Sequence, residues 1–198
     1  MSKIYAIADY ETCLKNNIDV VDFVKAVTAG GVRIVQYRDK VRDVESVDRE
    51  FGRLLRLVDP EVTLVINDHA GIAARYGAML HLGQTDSYHP PAGPFGRSTH
   101  SISEVKQAIA ENPQPDYIGF GAMFSSPTKP EIAENRNQVS EVLALWSKDI
   151  VLIGGINRET LPLLPTDERI YYAIISDFFA LGNTPRDIEK RASGYGNP

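Results

Sequence analysis

Apolar residues recur along this chain in two alternating rhythms, and each change of rhythm marks a new element. Short runs rich in β-branched and aromatic residues read as strands; between them, apolar positions three and four apart mark one face of a helix. Tyr5–Ala8 is the first strand. Asp19 then stands as a helix N-cap before Val20, Phe23, Val24 and Val27, and Gly30-Gly31 stops that helix. The second strand is Val32–Gln36, followed by a helix with Val44, Val47, Phe51, Leu54, Leu55 and Val58 at helical spacing. Thr63–Ile66 is the third strand, a short helix starts at Gly71, and Ala78–Leu82 and Gly96–Thr99 are the fourth and fifth. Ser101 and Glu104 form a capping box for a helix carrying Val105, Ala108 and Ile109. Tyr117–Phe120 is the sixth strand, and a helix with Val139, Val142, Leu143 and Trp146 leads to the seventh, Ile150–Ile153. Ile170–Ile175 is the eighth, and a last helix starts at Thr184-Pro185.

Strands separated by helices make a parallel sheet, and eight such units predict a compact (β/α)8 TIM barrel. The proline-rich stretch 84–95 leaves no room for a full helix, so the connection between strands four and five is short. An open doubly wound sheet would place a glycine-rich phosphate loop after the first strand, where this chain has Asp9-Tyr10-Glu11. No linker or low-complexity segment divides residues 1–198, so one barrel domain is expected, with 193–198 as a frayed tail.

The polar positions are concentrated where strands end. Val32 and Ile34 share a strand face with Gln36, Arg38 and Lys40, so an apolar strand finishes in an amide and two cations. Alone, that reads first as a solvated turn; the ligand-binding reading overtakes it because later strands finish the same way. Strand three ends Ile66-Asn67-Asp68 and strand four ends His81-Leu82-Gly83-Gln84-Thr85-Asp86. Two carboxylates above one barrel mouth suit a shared Mg²⁺, although Asp68 taken in isolation reads first as a helix cap. Strand five gives Ser98-Thr99-His100, where His100 is either a proton-transfer group or a structural neighbour of the helix cap. After strand six, Ser125-Ser126-Pro127-Thr128-Lys129 fits a phosphate lid or a plain surface loop. Gly154-Gly155 after strand seven, with Ile175-Ser176-Asp177 after strand eight, places backbone amides where barrels commonly hold a phosphate.

Composition narrows the partners. With 21 basic and 26 acidic residues the net charge is −5, which argues against a general nucleic-acid surface and leaves room for local cationic pockets. The single cysteine, Cys13, excludes an intramolecular disulfide and a cysteine-cluster metal site, and reads as structural. No signal peptide or membrane span is expected, so the cytoplasm is the default location and small molecules are the expected partners. Oligomeric state is left open, a homo-oligomer included.

The ordered set Gln36-Tyr37-Arg38-Asp39-Lys40, Ile66-Asn67-Asp68, His81 to Asp86, Gly96 to His100, Ser126 to Lys129, Ile153 to Ile156 and Ile175-Ser176 resembles the thiamine phosphate synthase family. The resemblance covers about Tyr5 to Ser176. It implies a barrel enzyme that joins hydroxymethylpyrimidine diphosphate to thiazole phosphate and releases pyrophosphate. Carried over, Gln36 would hold the pyrimidine, and Arg38, Lys40 and Lys129 the diphosphate. Asp68 and Asp86 would ligate Mg²⁺, and Asn67 and Ser98 would line the diphosphate site, with Arg38, Lys40, Ser98 and Lys129 acting in the chemistry. Ser126 and Thr128 stand where the family has two threonines. Gly154, Gly155, Ile175 and Ser176 would bind the thiazole phosphate through backbone amides, so a side chain at Gly155 is expected to impair that substrate far more than the other.

The chain departs from the family pattern at Gly121-Ala122, usually Gly-Pro, at Ser126, and in shortened segments after Asp86 and from Leu161 to Arg169. A sister group, the TenI-like thiazole tautomerases, shares the barrel and would use His100 for proton transfer. Its members tend to lose the metal-binding acids that this chain keeps. A non-catalytic barrel sensing thiamine precursors is a third reading; retention of every charged diphosphate ligand argues against it.

Overall fold

Alternation along the strands decides the architecture. The computed structural model describes residues 3–83, 93–125 and 135–195. Its strands are β1 (Ile4–Asp9), β2 (Ile34–Arg38), β3 (Thr63–Asn67), β4 (Met79–Leu82), β5 (Phe95–Thr99), β6 (Tyr117–Gly121), β7 (Asp149–Ile153) and β8 (Ile170–Ile174). They pair in parallel in chain order, and β8 pairs back onto β1, closing the barrel. One face of each strand joins a large cluster with the helices: Ala6, Val35, Ile66, Leu80, Ile118 and Leu152 pack with Phe23, Phe51, Val105 and Ile188. The other face forms a small interior cluster of Tyr5, Ile7, Val65, Tyr117, Val151 and Ala173. That is the two-sided burial a parallel barrel requires.

The helices are α1 (Tyr10–Lys15), α2 (Val20–Ala29), α3 (Val44–Leu57), α4 (Ala70–Tyr76), α5 (Ile102–Ala110), α6 (Val139–Leu145) and α7 (Pro185–Ser193). Asp19, Asp43, Ser101 and Thr184 cap α2, α3, α5 and α7 with side-chain acceptors. The predicted capping box is displaced by one residue at its second arm, since Glu104 accepts from the backbone N–H of His100. Between β7 and β8 the chain makes only a 3-10 turn at Leu161–Leu163. No helix of the described residues is long and apolar enough to cross a membrane.

Four expectations change. The tail expected over 193–198 does not begin at 193, since Ser193 ends α7 and Tyr195 packs on the core and donates to Asp177. Strand two starts at Ile34; Val32 lies before it, in the outer cluster, and Lys40 lies past its end. The interior face is therefore Ile34, Gln36 and Arg38. Helix α1 was not foreseen, because its short sequence lacks a full apolar stripe; Asp9 nucleates it by accepting from Thr12 N at 2.9 Å and Thr12 Oγ1 at 2.7 Å. Trp146 ends α6 as its C-cap and donates Nε1–H to the Asp149 carbonyl at 3.0 Å. Cys13 is buried in α1, and burial, with Asp9 and Asp19 nearby, pushes its thiol up to about 12. It stays protonated and inert.

Candidate active site

Strand β2 delivers the first polar groups to the mouth. Gln36 is buried in the interior, and its Nε2 donates to Tyr5 Oη at 2.8 Å. Arg38 forms an ion pair with Asp9, the same carboxylate that caps α1, so β1 fixes the guanidinium over the barrel. Lys40 reaches the β3 side, where its Nζ lies 2.9 Å from Asp68 Oδ2. Both cations are thus held at the mouth by acids.

Between them, Asp39 points the other way. It is buried, accepts from Arg42 Nε at 2.6 Å, Val41 N at 2.9 Å, Arg42 N at 3.0 Å and Tyr37 Oη at 3.1 Å, and so ties down the loop that presents Arg38 and Lys40. Burial alone would raise its pKa; the hydrogen bonds from Arg42 and Val41 win and hold it below the ordinary carboxylate value. The stability it contributes is complete above the unfolded carboxylate pKa of about 3.9 and is lost as pH falls through the lower folded value. Asp39→Ala removes the buried carboxylate from Arg42 Nε and Tyr37 Oη, leaving Arg42 with Tyr37 Oη and Glu50, and should cost about 3 kcal/mol, read as a lowered urea midpoint at neutral pH.

Asp68 does not cap α4. The N-cap is His69, and it makes no side-chain capping bond. Asp68 instead sits at φ +66°, and its N–H donates to the His81 carbonyl at 2.9 Å, which ties the ends of β3 and β4 together. Its Oδ1 is buried without a hydrogen-bond partner among the described residues. A positive φ at a non-glycine residue, beside an orphaned carboxylate oxygen, marks a group held for something other than packing.

Sequence reasoning gave no role to the groups below the mouth. His81, on β4, faces inward with Nδ1 at 2.8 Å from Tyr117 Oη and Nε2 at 2.9 Å from Ser98 Oγ. Tyr117 Oη lies 2.9 Å from Tyr5 Oη. Polar or aromatic residues at inward positions of β1, β4 and β6 were the available signal, once strand alternation was followed downward from the loops. Burial raises the ionisation of both phenols, so both stay protonated. His100 does not join this group: its ring is exposed, and Nδ1 lies 3.3 Å from Glu104 Oε2.

The far side of the mouth is built from loops that interlock. Met123 N–H donates to the Ile153 carbonyl at 2.9 Å and Phe124 N–H to the Gly154 carbonyl at 3.0 Å, so the chain after β6 lies along the chain after β7. Gly154 (φ +103°) and Gly155 (φ +64°) pass so close to it that added Cβ atoms would sit 2.6 Å from Ala122 Cβ and 2.8 Å from Phe124 Cβ. Buried Asn135 fastens the return of that loop, donating Nδ2–H to the Gly121 and His100 carbonyls, each at 2.9 Å. Ile175 precedes a 3-10 turn at Ser176–Phe179. Its Asp177 takes two bonds from Arg191 of α7, at 2.8 and 2.7 Å, and another from Tyr195. Asp86, Ser126, Thr128 and Lys129 lie outside the described residues, as does the whole stretch from 126 to 134. The rest of the predicted set, namely Gln36, Arg38, Lys40, Asn67, Asp68, Ser98, Gly154, Gly155, Ile175 and Ser176, lies on or just past the C-terminal ends of five strands, β2, β3, β5, β7 and β8.

Fold and site together define a (β/α)8 barrel whose C-terminal strand ends gather cations and carboxylates at one mouth, the end where barrels of this class carry their active sites. Within that class the chain belongs to the thiamine monophosphate synthase family, whose model matches residues 4–177. It is 33% identical over 208 residues to a thiamine-phosphate synthase from Koribacter versatilis, covering 98% of this chain and 94% of that one. Its fold is similar to a thiamine phosphate pyrophosphorylase from Pyrococcus furiosus, with TM-score 0.74, 20% identity and coverage of 97% and 96% of the two chains. A 2-keto-3-deoxy-6-phosphogluconate aldolase from Zymomonas mobilis shares the barrel at TM-score 0.70 and 14% identity, covering 99% of this chain and 91% of that one.

Proposed function

We propose that the chain joins 4-amino-5-hydroxymethyl-2-methylpyrimidine diphosphate to thiazole phosphate, forming thiamine phosphate and pyrophosphate. The observation that carries this reading is the pairing of family membership over residues 4–177 with a mouth in which Arg38, Lys40 and Asp68 converge. Gln36 receives the pyrimidine. Arg38 and Lys40, with Lys129 from the lid, take the diphosphate, and Asn67 and Ser98 line its site. Amides of Gly154, Gly155, Ile175 and Ser176 hold the thiazole phosphate, and Ser126 and Thr128 complete the lid.

Asp68 and Asp86 would hold Mg²⁺, and the orphaned Oδ1 of Asp68 fits a cation ligand. Bound there, the ion would neutralise charge on the departing diphosphate. The protein's own contribution is electrostatic and positional. Asp9 aims Arg38 so that its remaining guanidinium donors are available where negative charge grows as the methylene–oxygen bond breaks. The aminopyrimidine spreads the positive charge left behind, so no side chain need act as nucleophile. The thiazole nitrogen, pre-positioned by its phosphate on the β7–β8 side, then attacks that carbon, mostly by proximity.

No observation favours the tautomerase reading, since His100 turns toward Glu104 at the surface. Incubation with both substrates and Mg²⁺ should yield thiamine phosphate and pyrophosphate in equal amounts. Isomerisation of a thiazole carboxylate phosphate without any coupling product would reverse the assignment.

A further inference from the structure

A line of five polar side chains crosses the interior of the barrel, from Gln36 on β2 through Tyr5, Tyr117 and His81 to Ser98 on β5, with successive separations of 2.8, 2.9, 2.8 and 2.9 Å. Strand β5 carries glycine to make room for it: a Cβ at Gly96 would lie 2.1 Å from Tyr117 Cζ. An interior that gives up side-chain volume to house polar groups is built around them.

Counting hydrogens favours one direction along the line. With Gln36 Nε2 donating to Tyr5 Oη, the arrangement that leaves neither phenol hydrogen unused sends the Tyr5 hydrogen to Tyr117. In that arrangement Tyr117 donates to His81 Nδ1, and Nε2 carries the proton facing Ser98 Oγ.

We propose that Tyr5, Tyr117 and His81 are positioning residues: their one-way hydrogen-bond chain holds the Gln36 carbonyl toward the mouth as an acceptor and commits the Ser98 hydroxyl to act as a donor. Resting on the function proposed above, the Gln36 carbonyl selects the amino group on the pyrimidine, and the Ser98 hydroxyl meets a diphosphate oxygen. The two ends of one substrate are thus read by two ends of one chain, and orienting either end orients the other.

The test begins with the free protein. Nitrogen-15 NMR of histidine-labelled protein, with the His81 signals assigned by their loss in His81→Asn, should show the Nε2–H tautomer at neutral pH. Tyr117→Phe keeps the ring and the packing; it should release the tautomer, so that an Nδ1–H population emerges. It should also raise KM for the pyrimidine diphosphate about ten-fold while leaving KM for the thiazole phosphate unchanged. Tyr5→Phe should raise the same KM but leave the tautomer fixed, because Tyr117 still donates to Nδ1. A merely structural role would move neither selectively. An Nδ1–H tautomer in the parent overturns the proposal, as does a Tyr117→Phe variant with unchanged tautomer and kinetics. The expected tautomer behaviour in a protein that forms no thiamine phosphate would support the chain and remove the function on which its substrate reading rests.

Discussion

Asp68→Asn should lower kcat/KM for the pyrimidine diphosphate by a factor on the order of 10² to 10³ and abolish its dependence on Mg²⁺, with the urea unfolding midpoint close to the parent's. The asparagine matters. Asp68 sits at φ +66°, a region that asparagine tolerates and alanine resists. Asp68→Ala would mix the loss of the carboxylate with a backbone cost of about 1 kcal/mol. In Asp68→Asn the charge alone disappears: Lys40 loses the partner 2.9 Å away, and the buried Oδ1 no longer belongs to an anion. Steady-state kinetics over a Mg²⁺ titration, beside urea denaturation, separates the effects. Undiminished Mg²⁺-dependent turnover in Asp68→Asn would remove Asp68 from the metal site.

The second large effect is expected at Gly155. From sequence, a side chain there should hinder the thiazole phosphate far more than the pyrimidine diphosphate. The structure widens that expectation, because the missing Cβ faces Phe124 Cβ at 2.8 Å, the Phe124 carbonyl oxygen at 2.9 Å and the Ser125 carbonyl oxygen at 3.0 Å. Those atoms belong to the root of the loop that runs on to Ser126, Thr128 and Lys129. Gly155→Val must therefore displace backbone as well as adopt φ +64°, at a cost of about 3 kcal/mol in stability. Both KM values should rise, the one for thiazole phosphate by the larger factor, in kinetics that vary each substrate separately. An unchanged KM for the pyrimidine diphosphate would mean that the loop after β6 moves independently of Gly155.

The elements were legible because parallel strands in a barrel are apolar on both faces and helices are apolar on one, so the two rhythms differ sharply. Val35, Ile66 and Ile118 announce their strands without ambiguity. The ends were harder, since Val32 is apolar enough to extend β2 backward although it packs outside the barrel. At the site, residues just past strand ends were readable because polar groups interrupt an apolar run there: Arg38, Asp68 and Gly154 each stand out. Tyr5, Tyr117 and Asp9 did not. A tyrosine in a strand reads as ordinary β-propensity, and an aspartate after a strand reads as a cap; Asp9 is a cap and also holds Arg38. Partnerships between residues far apart in sequence, such as the 112 positions separating Tyr5 from Tyr117, are set by closure and leave no local pattern.

That closure has a kinetic side. β1 pairs with β8, and α2 packs against α7 so tightly that a Cβ at Gly30 would lie 2.5 Å from Ala192 Cβ and 2.7 Å from the Glu189 carbonyl. The seam joins segments separated by nearly the whole chain, the most costly loop to close by entropy and the slowest kind of contact to form. During synthesis β1 and α2 emerge long before β8 and Phe178, so β1 lacks one strand partner and Phe23 lacks Phe178, 5.7 Å away in the folded state, until those segments follow. Substitutions that loosen this seam should speed unfolding, and those that fill Gly30 should trap the nascent barrel open, with an edge strand free to pair with another chain.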